Sequence, residues 1–422
     1  MVERFIVVGM DDSQRPWFAP EVMDAIRGHR VFSGGRRLYE SVRVLLPEDH
    51  VWIPIAAPLS DVFEAYEGYD GEMVVFASGD PLFFGFANTL RRVLPDARME
   101  VYPSFNCLQV LAHRAVLPYQ DMRVVSLTGR PWHELDAALI GGEGMIGVLT
   151  DAVHTPAAIA KRMLRFGFSD YVMWVGERLG NEVCERVSRL SLEEARNGVF
   201  DSPNCVILHG CAPRSSWGMG IADDLFEGLV GRPRMITKAA VRVLTLAALE
   251  LRWRSCLWDI GFCTGSVSIE ARLLYPRLRV VGFELRSECG PLLERNAVRF
   301  HAPGIQSFIT DFVDADVDAL RDEEERVVCR PDAIFVGGHG GRLRELMVKA
   351  FACLLEGGVM VFNCVDPASV SDVRIRCDSE EVFCSTASEL GMELCSPVCV
   401  AVDDYHPIRI LKARKQGKRS GI

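Results

Sequence analysis

Leu257-Trp-Asp-Ile-Gly-Phe-Cys-Thr-Gly-Ser-Val-Ser-Ile-Glu270 is the stretch from which the rest of the chain is read. Leu257 to Ile260, apolar around one acid, predict a short buried strand. Gly261 to Gly265 predict a turn, because glycine lets the backbone bend tightly and come close to a ligand. A helix is expected from Ser266 onward. A second apolar run, Arg279 to Glu284, ends in a carboxylate. An acid roughly 20 residues beyond a glycine turn, at the tip of the next strand, suits a ribose whose hydroxyls need an acceptor. The predicted ligand is an adenosine-type cofactor. The competing reading is a strand-turn-helix with no ligand, since glycine turns are common.

Two cofactors fit such a turn. A dinucleotide wants glycines placed for a pyrophosphate at the helix N-terminus, and the third glycine of that spacing is missing. Asp259 precedes the first glycine. A carboxylate there repels a pyrophosphate but accepts from the ammonium of a methionine moiety, which favours S-adenosylmethionine. The flanks add Met235-Ile-Thr-Lys238 before an apolar helical run, and Thr310-Asp311 after it. Further on stand Ala333-Ile-Phe-Val-Gly-Gly-His-Gly-Gly341 and Gly357-Gly-Val-Met-Val-Phe-Asn363. Together these segments resemble the class I methyltransferase domain that methylates C15 of the corrin precursor and decarboxylates its acetate side chain. The likeness runs from about residue 220 to the end, and departs from the family at Phe262 and Cys263.

A chain of 422 residues predicts two domains rather than one core. Its hydrophobic content of 49% suits well-packed domains, and no apolar run is long enough to cross a bilayer. Arg4 to Gly9 read as a strand, not a signal peptide. Fourteen cysteines without metal-site spacing predict reduced thiols, a cytoplasmic location and no metal. A net charge of −10 argues against a nucleic-acid partner. The basic run from Lys412 to Arg419 reads as a solvated, frayed terminus.

In the first half, Val31-Phe-Ser-Gly-Gly-Arg-Arg-Leu38 predicts a strand running into a glycine turn. Arg36 and Arg37 stand there either as a solvated helix start or as an anion clamp. Met73-Val-Val-Phe-Ala-Ser-Gly-Asp-Pro-Leu-Phe-Phe-Gly85 predicts a buried strand, a loop and a helix. Strand and helix patterns alternate onward, which argues for a mainly parallel α/β sheet. Ser78-Gly-Asp-Pro81 and Gly85, with Pro103-Ser104 after and Gly34-Gly35-x-Arg37 before, resemble the tetrapyrrole methylase family. The likeness spans about 4–212 and is greatest to the C5 methyltransferase of corrin synthesis. It implies a two-subdomain fold whose cleft holds the cofactor, with Gly9, Gly79, Asp80, Pro81, Leu82 and Ser104 as contacts. The family's Gly-x-Gly-Pro-Gly is replaced by Gly9-Met-Asp-Asp12. Gly210 to Gly220 is rich in Gly, Pro and Ser and fits a linker.

The two likenesses together imply an α/β chain: a tetrapyrrole methylase domain over 1–212, a linker over 213–222 and a Rossmann-like class I methyltransferase over 223–422. That organisation resembles the fused precorrin-6Y C5,15-methyltransferase (decarboxylating) family of cobalamin biosynthesis. It implies two S-adenosylmethionine sites, a tetrapyrrole substrate methylated at C5 and C15, loss of the C12 acetate carboxyl to give precorrin-8X, and a homo-oligomer. A cobalt-bearing substrate is the alternative, and a methyltransferase of RNA or protein, or a scaffold without cofactor, are the rivals. In the second half the likeness implies that Asp259 meets the methionine end, Glu284 the ribose and Asp311 the adenine amine, with Gly261, Gly265 and Ser266 as the cradle; the alternative for Asp311 is a turn-capping carboxylate. Thr237 and Lys238 close over the cofactor, Lys238 with a catalytic role. Gly337, Gly338 and Asn363 face the macrocycle, and Arg36, Arg37, Arg342 and Arg344 receive its carboxylates. His339 is read as a proton donor, since its ordinary pKa lies near neutrality, or as a plain loop histidine.

Overall fold

The computed structural model describes residues 2–211, 217–232, 235–365, 379–401 and 407–417. The chain divides into two compact units, one of Met1–Arg130, Gly144–Leu164 and Ser169–Ala212, the other of Pro131–Glu143, Arg165–Phe168 and Pro213–Ile422.

The first unit holds two five-stranded sheets. Strands β1 (Val2–Met10), β2 (Val31–Gly34), β3 (Val51–Pro54), β4 (Gly71–Ser78) and β5 (Arg98–Tyr102) form one. Its order is β3-β2-β4-β1-β5 and every pairing is parallel. Such strands are covered on both faces and read as continuous apolar runs, which is how Phe5 to Val8 and Met73 to Ala77 are buried. The β1/β4 register pairs Gly9 with Ala77 and Met10 with Ser78, so the loops that follow leave side by side.

The second sheet contains β6 (Arg123–Ser126), β7 (Met145–Leu149), β8 (Tyr171–Glu177), β9 (Arg186–Ser191) and β10 (Asn204–Gly210) in the order β6-β7-β10-β8-β9. Only β6 and β7 pair in parallel; the remaining pairings are antiparallel. The parallel character expected of this half therefore stops at β7. Strand β9, Arg-Val-Ser-Arg-Leu-Ser, follows β8 without a crossover helix, and short returns can only make antiparallel neighbours.

The second unit is built on β11 (Cys256–Ile260), β12 (Arg279–Glu284), β13 (Ile305–Ile309), β14 (Ala333–Val336), β15 (Val359–Val365), β16 (Glu393–Leu394), β17 (Val398–Val400) and β18 (Ile408–Arg414). The order is β13-β12-β11-β14-β15-β18-β16, with β17 beside β18. The first five strands are parallel and β18 runs against β15. Trp258 and Ile260 enter one core, together with Leu346, Met347 and Phe383. Leu257 enters the other, with Val267 and Ala271 of helix Ser266–Leu274 and Val241 and Leu246 of helix Ala239–Ala248. This is the doubly wound, Rossmann-like layering that the glycine turn predicts. Strand order reverses between β11 and β14, the place where such sheets open a crevice.

Of the segment read as a linker, 212–216 lie outside the described residues. Ile221 is buried and Trp217 packs edge-on against Phe300 at 5.0 Å. Of the basic run, 418 and 419 lie outside the described residues; its start is not frayed, since Ala413, with Ile410 and Leu411 just before it, is buried in the sheet on β18. Lys412 Nζ lies 2.6 Å from Glu250, and Lys415 donates to the carbonyls of Phe351 and Leu354. No helix among the described residues is long and apolar enough to cross a membrane.

Candidate functional site

In the second unit the turn after β11 is fixed by backbone contact. Gly337 N donates to Ile260 O at 2.8 Å and Gly338 N to the same oxygen at 3.2 Å. A Cβ at Gly261 would stand 2.6 Å from Gly338 N, and its φ of +82° is one that side chains resist. Gly261, Gly337 and Gly338 thus let the loops after β11 and β14 touch. Gly265 caps helix Ser266–Leu274, whose first residue Ser266 is buried.

These loops border a cavity of about 320 Å³ whose lining includes Gly261, Glu284, Asp311, Gly338, His339 and Arg342. Glu284 is buried at the tip of β12. Its Oε1 accepts from the backbone of Leu285 and Arg286 and from Arg286 Nε, at 3.0, 3.1 and 3.0 Å. Its Oε2 accepts from Cys263 N and Arg286 Nη2, both at 3.0 Å. Burial pushes this carboxyl up, but the Arg286 guanidinium and the backbone donors outweigh it and hold the pKa below the ordinary value. Asp311 accepts from Val313 N at 2.9 Å and from Arg342 Nη1 at 3.1 Å. Arg342 also binds Asp314 and Glu345. His339 is half-buried; its Nδ1 accepts from Gly341 N at 3.1 Å, and burial lowers its pKa. That acceptor role leaves the proton of the neutral ring on Nε2.

Asp259 lies beneath the turn rather than in the cavity lining. It shares Leu257's side of β11, faces helix Ser266–Leu274, and accepts from Ser268 Oγ at 2.6 Å through Oδ2. Its Oδ1 is buried without a partner, and burial raises the carboxyl to about 7. A buried acceptor left open is a place for a cationic donor, so the donor set fits an aminoacyl ammonium. Thr237, Lys238 and Asn363 are elsewhere. Thr237 O accepts from Arg242 Nη1 at 2.6 Å, Lys238 caps helix Ala239–Ala248 with its ammonium 3.8 Å from Asp223, and Asn363 bonds Thr245 at 2.8 Å. Arg344 pairs with Glu389.

Arg242 is not among the residues expected at the site. It is fully buried, donates to fully buried Glu270 at 2.6 Å and to Asp223 at 3.2 Å, and also reaches Ile221 O. It anchors the Thr237–Lys238 segment. An arginine in an apolar helical run is the signal that would have marked it. Arg286, two residues past the strand-tip acid, is the other residue missed.

The first unit has a cavity of about 550 Å³, lined among others by Asp12, Arg36, Arg37, Gly79, Asp80, Phe84 and Phe105. A Cβ on Gly9 would stand 2.3 Å from Gly79 O and 2.9 Å from both Pro81 Cδ and Ser104 N, so Gly9 lets three loops close on one point. Gly9, Pro81 and Ser104 therefore build the wall without lining the cavity, and Leu82 is exposed beside it. Asp80 turns its loop by accepting from Leu82 N at 2.9 Å. Arg37 and Arg36 differ. Arg37 bonds Asp12 and reaches Ser78 Oγ at 3.1 Å, while Asp12 also takes Arg178 Nε at 2.8 Å. Arg36 is exposed and has no acidic partner among the described residues.

The precorrin methyltransferase domain family matches residues 231–395. The chain is 31% identical over 336 residues to a precorrin-6Y C(5,15)-methyltransferase (decarboxylating) from a Sinorhizobium species, covering 79% of this chain and 78% of that one. It is 38% identical over 142 residues to a cobalt-precorrin-6B C(15)-methyltransferase (decarboxylating) of Salmonella typhimurium, 33% of this chain and 67% of the relative. A cobalt-precorrin-7 C(5)-methyltransferase of the same organism matches over 208 residues at 28% identity, 48% of this chain and 97% of the relative.

Proposed function

Since the chain belongs to the precorrin-6Y C(5,15)-methyltransferase (decarboxylating) family, we propose that it methylates precorrin-6Y at C5 and C15 and removes the carboxyl of the C12 acetate. The 336-residue match to a relative named for both methylations carries this reading. We assign C5 to the first unit and C15 with decarboxylation to the second, each with its own S-adenosylmethionine. The match of the precorrin methyltransferase domain family to 231–395 supports the second assignment.

The cofactor supplies a methyl group on a sulfonium. Methyl transfer from it is an in-line displacement, so the residues need mainly to position two reactants. In the second unit, Glu284 accepts the ribose hydroxyls. All its acceptor positions are already engaged, so Arg286 yields Nε and Nη2 when the ribose arrives. Asp311 accepts from the adenine amine, and the open Oδ1 of Asp259 takes the ammonium. Loss of carbon dioxide leaves an electron pair on the acetate carbon, which takes up a proton from water. The neutral His339, on the cavity wall, offers Nε2–H as a hydrogen-bond donor that orients that water or the departing carboxylate. Mass spectrometry of an incubation with precorrin-6Y tests the reading. The expected product carries two more methyl groups and one carboxyl fewer; unchanged substrate, with a cobalt-bearing analogue turned over instead, overturns the metal-free assignment. Calorimetry should find two S-adenosylmethionine molecules per chain.

A further inference from the structure

We propose that the aromatic lip of the first cavity, formed by Phe84, Phe105 and Arg36 with Arg130 packed on the Phe84 ring behind it, seats the macrocycle of the tetrapyrrole substrate, its ring plane on the aromatics and its peripheral carboxylates on the arginines. This rests on the reading above for the substrate class.

Phe84 and Phe105 remain 48% and 59% exposed although both line the cavity. Aromatic rings left in water beside a cavity forgo burial that each would otherwise gain. They are not loose side chains. Phe83 braces Phe84 edge-on at 5.3 Å, and His113 braces Phe105 at 5.3 Å. Phe84 is further held at φ +55°, a backbone state that a bulky residue resists. The guanidinium of Arg130 lies 5.1 Å from the Phe84 ring centre. Neither Arg130 nor Arg36 has a carboxylate partner among the described residues, in a chain whose net charge is −10. Their neighbour Arg37 is tied to Asp12.

The sign of the charge selects the occupant. S-adenosylmethionine brings a sulfonium, which two unpaired arginines repel. A flat ring fringed with carboxylates matches both elements: offset stacking on the aromatic faces and charge-assisted bonds to the guanidinium groups.

Binding of uroporphyrin, a polycarboxylate macrocycle that needs no turnover, is followed by fluorescence quenching on the full chain, alongside KM for C5 methylation of precorrin-6Y. Arg130→Met, Arg36→Glu and Phe105→Ala should each weaken uroporphyrin binding and raise KM about tenfold, the scale of one lost charged contact for the arginines and of one lost aromatic stack for Phe105. S-adenosylmethionine affinity should stay within about twofold, Phe105→Tyr should restore binding, and the arginine effects should shrink in high salt. If uroporphyrin binds every variant as it binds wild type, or if S-adenosylmethionine affinity falls instead, the lip does not seat the macrocycle. If uroporphyrin binding depends on these residues but precorrin-6Y is not methylated, the seat stands and the reaction assigned above fails.

Discussion

The two cavities treat their charged groups in opposite ways. In the second unit every cation on the wall is engaged by the fold: Arg286 on Glu284, and Arg342 on Asp311, Asp314 and Glu345. The first unit engages Arg37 and leaves Arg36 open. Acids differ likewise. Asp12 of the first unit is satisfied by two arginines, whereas Asp259 of the second keeps one oxygen bare. Residue type therefore does not separate scaffold from site; the partner does. A charge that the fold has matched holds loops in place, and a charge that it has left unmatched is available to a ligand.

The largest effect expected from this contrast is at a matched charge. Arg242 and Glu270 are both fully buried. Arg242→Met leaves Glu270 without its cation and should cost about 3–5 kcal/mol in denaturant unfolding of the second unit. Adding Glu270→Leu should recover part of that loss, because an apolar pair removes the stranded charge. A single variant as stable as wild type would break the comparison on its matched side.

The unmatched acid gives the next effect, with a pH signature. Burial raises the Asp259 carboxyl to about 7 in the folded chain, against about 4 in an unfolded one. The native state therefore binds more protons between those values, and this group's contribution to stability falls as pH rises from about 4 to 7. Asp259→Asn escapes that loss. It should be more stable than wild type by roughly 2–4 kcal/mol at pH 8, with the difference vanishing near pH 4. Thermal unfolding at both pH values measures it. The same variant should bind S-adenosylmethionine more weakly in the second unit, since the bare oxygen no longer carries charge.

Glu284 tests whether a matched charge also serves a ligand. Glu284→Gln should weaken cofactor binding in the second unit by about 1–3 kcal/mol, the scale for a charged hydrogen bond, and leave the first unit unchanged in calorimetry. Arg286→Met sharpens the point. If the guanidinium must leave for the ribose, removing it should not add to the loss in Glu284→Gln.

Much of this was legible in the sequence. The glycine turn, the strand-tip acid and Asp311 fall around one cavity because backbone geometry and strand order place them, and both leave marks in local pattern. Partners separated widely in sequence leave no such mark. Nothing in Arg36-Arg37 says which guanidinium meets Asp12, since the answer depends on β2, β4 and β1 lying in that order in the parallel sheet. The same holds for Arg242 and Glu270, which come together only where two helices meet over the sheet. Strand β9 was missed because its apolar residues alternate with polar ones in a half-exposed strand, and the basic end of the chain because buried Ile410, Leu411 and Ala413 outweigh its charges.

The smallest effect separates the adjacent arginines. Arg37→Met removes one of two cations from buried Asp12 and a bond from Ser78, so a cost of about 1–2 kcal/mol in unfolding of the first unit is expected, Arg178 retaining the rest. Arg36→Met removes an exposed group with no acidic partner and should change stability by less than about 0.5 kcal/mol. In substrate kinetics the order reverses: Arg36→Met should raise KM for C5 methylation more than it changes kcat, with the effect fading in salt. Arg37→Met should disturb KM only as far as the loop it holds is loosened. Equal costs in stability from the two variants would mean that Arg36 has a structural partner. Equal effects on KM would mean that both guanidinium groups reach the substrate, and that the bond between Arg37 and Asp12 opens when it binds.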